Sequence, residues 1–275
     1  MNLRRKLYNL THPIVGEIWC LHRVLPERSA FKSNRELEIT PDYLEQLIRE
    51  KQHQGFHFVD LDAFTDVANG NRHRKKLIHI TFDDGFVDVF THAYPILKQY
   101  HIPFTLYVTT DMPDGKADLW WLQLEQMAHG DAEWFEKTVK QVYDRKENIA
   151  ASMHEITSSA VDFSLCQQLA LSWEQIQAMA SEGLCAIGSH GVSHSALSLL
   201  SEEKAEQELT TSKQRLEAML DKEIKHFSYP HSFFNETTNR LVRKTGYSTA
   251  VVGYGGATRC KKGNDFYYRK FIVQP

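Results

Sequence analysis

Two short clusters in this chain hold residues able to bind and activate a cation. Asp83-Asp84-Gly85 follows the apolar run Leu77-Ile78-His79-Ile80-Thr81-Phe82, and His190 and His194 follow Ile187-Gly188-Ser189. Adjacent carboxylates are costly to bring together unless a cation or a shared proton compensates them. Side chains alternate along a strand, so both acids serve one site only if the strand ends at the pair and the backbone turns, which Gly85 permits. Taken alone, the segment reads equally as a turn with solvated acids. Two histidines four apart face one cation if the residues between them coil into a helical turn. With 14 histidines in 275 residues, roughly one such spacing arises by chance. His53 and His57 share it, but Gly55 separates a helix end from a strand start there, and that pair reads as incidental surface residues. What distinguishes His190 and His194 is their place after a strand, like the Asp pair.

One Asp and two His make a workable catalytic metal set, because three protein ligands leave positions open for water and substrate. A nearby carboxylate can then take the proton of the attacking water. That division separates Asp83, as base, from Asp84, as ligand.

These clusters need a scaffold that brings strand ends together. Short β-rich runs recur at 17–24, 56–61, 77–82, 104–109, 184–188, 224–229, 247–253 and 271–273, with helical patterns between many of them. Thr40-Pro41 caps a helix that ends near Gly55, Ser201 caps a run carrying Ala205, Leu209, Leu216 and Leu220, and Asn235 opens another that stops before Gly246. Alternating strands and helices imply a mainly parallel sheet, closed or nearly closed into a barrel, with the chemistry at the carboxyl ends of its strands. The polar, helix-prone stretch 120–171 reads as a helical excursion between two barrel strands. No repeat or linker composition marks a boundary, so one domain over residues 1–275 is expected.

Composition narrows the partners. A formal charge of -3 provides no global basic field, so nucleic acid is not expected. The four cysteines, Cys20, Cys166, Cys185 and Cys260, lack zinc-knuckle spacing and read as reduced, mostly buried thiols. Arg4, Arg5 and Lys6 precede no apolar stretch of signal-peptide length, and no run approaches the ~20 apolar residues of a membrane span. A cytoplasmic location is the expectation.

Thr81-Phe82-Asp83-Asp84-Gly85 followed by Ser189-His190 through His194 resembles the polysaccharide deacetylases, carbohydrate esterase family 4 with the NodB homology domain. Phe227-Ser228-Tyr229-Pro230, Gly246-Tyr247 and the opening Cys20-Leu21-His22-Arg23-Val24 extend the resemblance over roughly residues 17 to 273. It implies an α/β fold, a distorted (β/α)7 barrel, and a divalent metal, zinc most often and sometimes cobalt or nickel. Asp84, His190 and His194 would be the ligands and Asp83 the general base; Tyr229, Pro230 and His231 would lie on the substrate and oxyanion side, with the backbone N–H of His231 an oxyanion donor. The substrate would be an amino sugar, as a sugar nucleotide or oligosaccharide, losing an N-acetyl group in a surface-polysaccharide precursor.

The chain also departs from the family pattern. Gly191 replaces a Ser or Thr, removing a hydrogen bond that would brace the loop, and Ser228 stands where an Arg usually orients the base. Arg269 is the candidate replacement for that Arg. The late Asp-Trp and Leu-x-His motifs are not recognisable, which leaves the general acid open. His22, at the end of the first strand, is either that acid or a hydrogen-bonded core histidine. Trp121, with Trp120, is either a sugar platform or a core residue. Alternatives are hydrolysis of another C–N bond, as by a deformylase or amidase, and a catalytically impaired carbohydrate-binding relative. A glycosidase fits poorly, because its two acids lie apart across the scissile bond.

Overall fold

The computed structural model describes residues 12–70 and 76–275, so the basic cluster Arg4, Arg5 and Lys6 lies outside the described residues. Its strands in chain order are β1 (Ile14–Leu21), β2 (Arg23–Val24), β3 (Glu38–Ile39), β4 (His57–Phe58), β5 (Leu77–Phe82), β6 (Phe104–Val108), β7 (Cys185–Ser189), β8 (His226–Ser228), β9 (Thr249–Val252), β10 (Thr258–Arg259), β11 (Phe266–Tyr268) and β12 (Lys270–Phe271). The main sheet runs β1-β5-β6-β7-β8-β9-β11, all parallel, with β10 antiparallel on the outer edge of β1. Its two ends meet through the C-terminal strand. β11 pairs with β9, and after Arg269 the same segment continues as β12 paired with β1. The sheet therefore curls into a nearly closed barrel whose seventh strand is split at Arg269.

The sheet is buried on both faces, as an all-parallel sheet must be. All six residues of β5 are buried. Ile78, Ile80 and Phe82 pack with the surrounding helices through Leu97, Ile176 and Leu209. Leu77 joins Ile18, Tyr107, Val251 and Tyr267 in a separate cluster. The polar members of β5 keep partners: Thr81 Oγ1 donates to Trp19 O at 2.6 Å, and the His79 nitrogens contact Val59 O at 2.9 Å and Thr105 Oγ1 at 3.0 Å. The stretch after β6 forms helices Trp120–Met127, Ala132–Asp144, Ile149–Thr157 and Ser164–Leu169. They enclose a second core around Trp120, Leu124, Phe135 and Met153, so the excursion has its own apolar interior beside the barrel.

The helix starts follow from capping. Thr40 accepts from Tyr43 N ahead of Pro41, Ser201 accepts from Lys204 N, and Asn235 and Thr238 form a reciprocal capping box. Several strand limits differ from the periodicity reading. Helix Leu61–Gly70 begins where a strand was expected to end, because Asp60 Oδ1 accepts the Ala63 N–H as a helix cap. The last strand covers 266–271 instead of 271–273, since the charged pair Arg269-Lys270 interrupts the apolar run that marks strands. The segment between His190 and His194 is an irregular loop, not a helical turn, with Gly191 at φ 81° and His194 at φ 60°.

Candidate active site

Each parallel strand delivers its next residues to one end of the barrel, and the expected site residues collect there. β1 ends at His22, β5 at Asp83 and Asp84, β7 at His190, β8 at Tyr229 to His231, β9 at Gly253 and β11 at Arg269. A cavity of about 480 Å³ opens at this end, walled on its far side by Trp120, Trp121 and Tyr143 of the helical excursion.

The Asp pair shares one site because the backbone turns within it. Asp83 donates its N–H to Leu21 O, extending the β1–β5 ladder, while Asp84 adopts φ 75° and Gly85 φ 107°. A left-handed aspartate is uncommon, and such residues concentrate where function needs the geometry. Asp84 is 3 % exposed. Its Oδ1 lies 3.2 Å from His194 Nε2 and 3.5 Å from His190 Nε2. Neither contact has hydrogen-bond geometry, and that oxygen has no hydrogen-bond partner.

His190 Nδ1 is 2.8 Å from Ser228 O, which can only accept, so Nδ1 carries a proton and the neutral ring offers the Nε2 lone pair on the side of Asp84. Burial lowers the His190 pKa, but Asp83 and Asp84 outweigh it and the net direction is up, so a cation entering here displaces a proton from Nε2. A buried carboxylate oxygen and two imidazole nitrogens converge here without a formed hydrogen bond to the carboxylate oxygen. Such a donor set fits a cation between the three atoms. Burial pushes the Asp84 carboxyl up, but the His194 and His190 imidazoles outweigh it and hold Asp84 well below the usual carboxylate range.

Asp83 is bound differently. Arg269, 1 % exposed, donates Nη1 to Asp83 Oδ1 and Nη2 to Oδ2, both at 2.6 Å. The same guanidinium donates to Thr81 Oγ1 and Ser228 Oγ at 2.9 Å, and Ser228 Oγ donates to Asp83 Oδ2 at 3.1 Å. Arg269 thus occupies the position left open by the serine at 228, from a different strand. Burial raises the Asp83 carboxyl, yet the Arg269 guanidinium and His190 pull harder, and the net direction is down.

The His190–His194 loop is braced despite the glycine at 191. Glu208, on helix Glu202–Leu220, accepts from Val192 N at 2.7 Å, Ser193 N at 3.1 Å and Ser193 Oγ at 2.7 Å. Gly191 N donates to Ser189 Oγ, and a Cβ at Gly191 would stand 3.0 Å from Glu208 Oε2. Glycine is therefore required here by its positive φ and by the bracing carboxylate, so the expected missing hydrogen bond is replaced from outside the loop. Glu208→Ala is expected to weaken metal binding about 10- to 100-fold, the usual cost of losing an outer-shell support, with turnover restored at saturating metal. Competition with a calibrated chelator measures it.

His22 opens onto the cavity. Its ring lies 5.3 Å from Phe271, its Nδ1 is buried without a partner, and burial lowers its pKa against the pull of Asp84 and Asp83. Ligand atoms of Cys20, His22 and Asp83 all lie within 4.8 Å of one another. The His231 ring packs 4.5 Å from His194, with Nδ1 3.1 Å from the Tyr143 hydroxyl; burial, then His194 and His190, depress its pKa well below the ordinary value. His231 sits at φ 55° in the tight turn opened by the buried Pro230.

Tyr229, expected on the substrate and oxyanion side, lines the cavity, but its hydroxyl is directed elsewhere. Its hydroxyl donates to Asn239 Oδ1 at 2.7 Å and its ring packs on Phe227, Phe234 and Phe266. Alternation explains this, since Ser228 points to Asp83 and its neighbour must point away. Trp121 is both wall and core: it is 7 % exposed, packs on Trp120 and Phe86, and reaches 5.4 Å from His194.

Sequence reasoning missed Glu208, Tyr143 and Cys20. Glu208 and Tyr143 lie on amphipathic helices where a polar residue ordinarily faces solvent, so no local signal marks them. In the sequence Cys20 is indistinguishable from an ordinary buried thiol, and only its place on β1 brings it to the cavity.

The family profile described as polysaccharide deacetylase matches residues 70–250. YxkH of Bacillus subtilis, provisionally named a polysaccharide deacetylase, is 26% identical over 189 residues, 69% of this chain. That match spans 49% of YxkH, about half its length. The fold is shared with the structure of IcaB from Ammonifex degensii, at TM-score 0.68 and 22% identity over 94% of this chain and 92% of that one. It is shared also with the Streptococcus pyogenes deacetylase PplD in complex with acetate, at TM-score 0.67 and 21% identity over 96% and 94% of the two chains.

Proposed function

Because this chain belongs to the polysaccharide deacetylase family, we propose that it is a metal-dependent hydrolase removing the N-acetyl group of an amino sugar in a surface polysaccharide or its precursor. The observation that carries this reading is the convergence of Asp84 Oδ1, His190 Nε2 and His194 Nε2 beside an Asp83 carboxylate locked by Arg269. A divalent ion held by those three residues would polarise the acetyl carbonyl and make water a competent nucleophile near neutral pH. Zinc suits the two-imidazole, one-carboxylate set, with cobalt or nickel as alternatives.

The protein's own groups do the rest. Asp83, held out of the ligand set by Arg269, takes the proton of the attacking water. Arg269 and Ser228 keep both its oxygens in place, so Arg269 is a positioning residue. The His231 N–H, at the turn after Pro230, is the candidate donor to the developing oxyanion. His22, on the same rim as Asp83, is the candidate that passes a proton to the leaving amine. Acetate and the free amine are the products. A cytoplasmic site of action belongs to the same proposal; four free, buried cysteines suit a reducing compartment.

The test is acetate release from a panel of N-acetylated amino sugars by zinc-, cobalt- or nickel-loaded protein. Stoichiometric metal with turnover that chelation abolishes and readdition restores is the expected result. Metal binding with formate or ammonia released instead would move the reading to another C–N bond. Failure to bind metal under any condition would overturn it.

A further inference from the structure

We infer that Tyr254, stacked on Phe271, is a platform for a second sugar ring, and that the substrate reaching it is an uncharged oligosaccharide, not a sugar nucleotide. This rests on the function proposed above. Tyr254 follows the carboxyl end of β9 and lines the cavity that holds Asp83 and His22. Its ring is parallel to Phe271, with 5° between the planes and 5.6 Å between centroids, and the residue is 76% exposed. Phe271 in turn lies against His22. A row of flat rings therefore leads from the catalytic end of the cavity to solvent. Burying one face of an aromatic on a second ring while leaving the rest open suits the apolar face of a pyranose.

The platform is also fixed in place relative to the reacting groups. Arg269 N donates to Val252 O at 2.8 Å, and Gly255 N donates to Arg269 O at 2.6 Å. The loop that carries Tyr254 is thus clamped on both sides to the residue that positions Asp83. Gly255 is required for that closeness, since a Cβ there would meet Tyr268 Cβ at 2.3 Å.

Charge selects the occupant. A nucleotide base would stack on Tyr254 as readily as a sugar, but its pyrophosphate needs cationic partners. Among the described residues, the lysine, arginine and carboxylate side chains lining the cavity are Glu36, Asp83, Asp84 and Arg269; Arg269 is committed to Asp83, and the divalent ion proposed at Asp84 would be engaged by the acetyl carbonyl. Glu36 would repel a pyrophosphate and leaves a neutral glycan unaffected.

The experiment uses zinc-loaded protein with N-acetylglucosamine oligomers of one to four units, β-1,4- and β-1,6-linked, and UDP-N-acetylglucosamine. Acetate release is followed kinetically, and binding is followed by titration calorimetry on Asp83→Asn holoprotein. In the unaltered protein, kcat/KM is expected to rise on the order of tenfold once a second sugar is present. Tyr254→Ala should lose that gain and keep its monomer rate, and Tyr254→Trp should retain it. A gain of equal size in Tyr254→Ala, or tighter binding of the UDP-sugar than of the neutral dimer, overturns the inference. If no substrate releases acetate, the proposed function fails. Calorimetry then decides the platform alone: length-dependent binding lost with Tyr254→Ala in the Asp83→Asn background supports it, and binding indifferent to Tyr254 sinks it.

Discussion

Asp84→Ala is expected to release the metal and lower turnover roughly a thousandfold or more, the scale of losing several kcal/mol of charge stabilisation in the transition state. Asp84 is the only anion of the proposed ligand set, and its Oδ1 is the atom on which both imidazole nitrogens converge. Truncating it leaves two neutral donors, one of them already fixed by its bond to Ser228 O. Metal content after gel filtration and acetate release on the same sample measure the effect. The fold should survive, because Asp84 Oδ1 has no hydrogen-bond partner and the bond from Thr109 N to Asp84 O belongs to the backbone. A variant that keeps stoichiometric metal and near-normal turnover would place the metal elsewhere.

Arg269→Met should have the second largest effect, and on two observables at once. The guanidinium and Asp83 form a bidentate pair, 1% and 3% exposed at the side chains. Removing one partner leaves an uncompensated buried charge, at a cost of about 3–5 kcal/mol of stability. The base also loses its orientation, so kcat should fall about 10²- to 10⁴-fold, the usual worth of a positioned proton acceptor, while metal stays bound and KM changes little. The double variant Asp83→Asn/Arg269→Met separates the two consequences. It removes both charges, so denaturant midpoints should recover most of the lost stability, whereas turnover should not return. Turnover recovering along with stability would instead remove Asp83 from the role of base. Arg269→Lys should restore stability better than rate, since an ammonium supplies charge without the planar two-point grip.

Much of this was legible in the chain because the relevant signals are local. A strand running into Asp83-Asp84-Gly85 and another running into His190 announce two loops at barrel strand ends, and Thr40, Ser201 and Asn235 announce helix starts, each through interactions spanning four residues at most. The partners of those loops were less legible. Arg269 could be named only as a candidate, because its contact with Asp83 spans 186 positions and depends on how the barrel closes. Glu208 gave no sign, since a helix pattern assigns it to a face but not to the loop against which that face packs.

The sequence by itself determined the fold class, the carboxylate and imidazole donors and the strand ends that carry them, because hydrophobic period, capping and turn chemistry act over a few residues. Tertiary structure alone decided that Asp84 and the two imidazoles converge, that Arg269 splits the last strand to grip Asp83, and that the Tyr229 hydroxyl turns to Asn239 while the Tyr254 ring stays exposed at the cavity. Those outcomes depend on sheet closure and on which face of each strand end looks inward. A slip of one residue reverses that choice, and no local pattern records it.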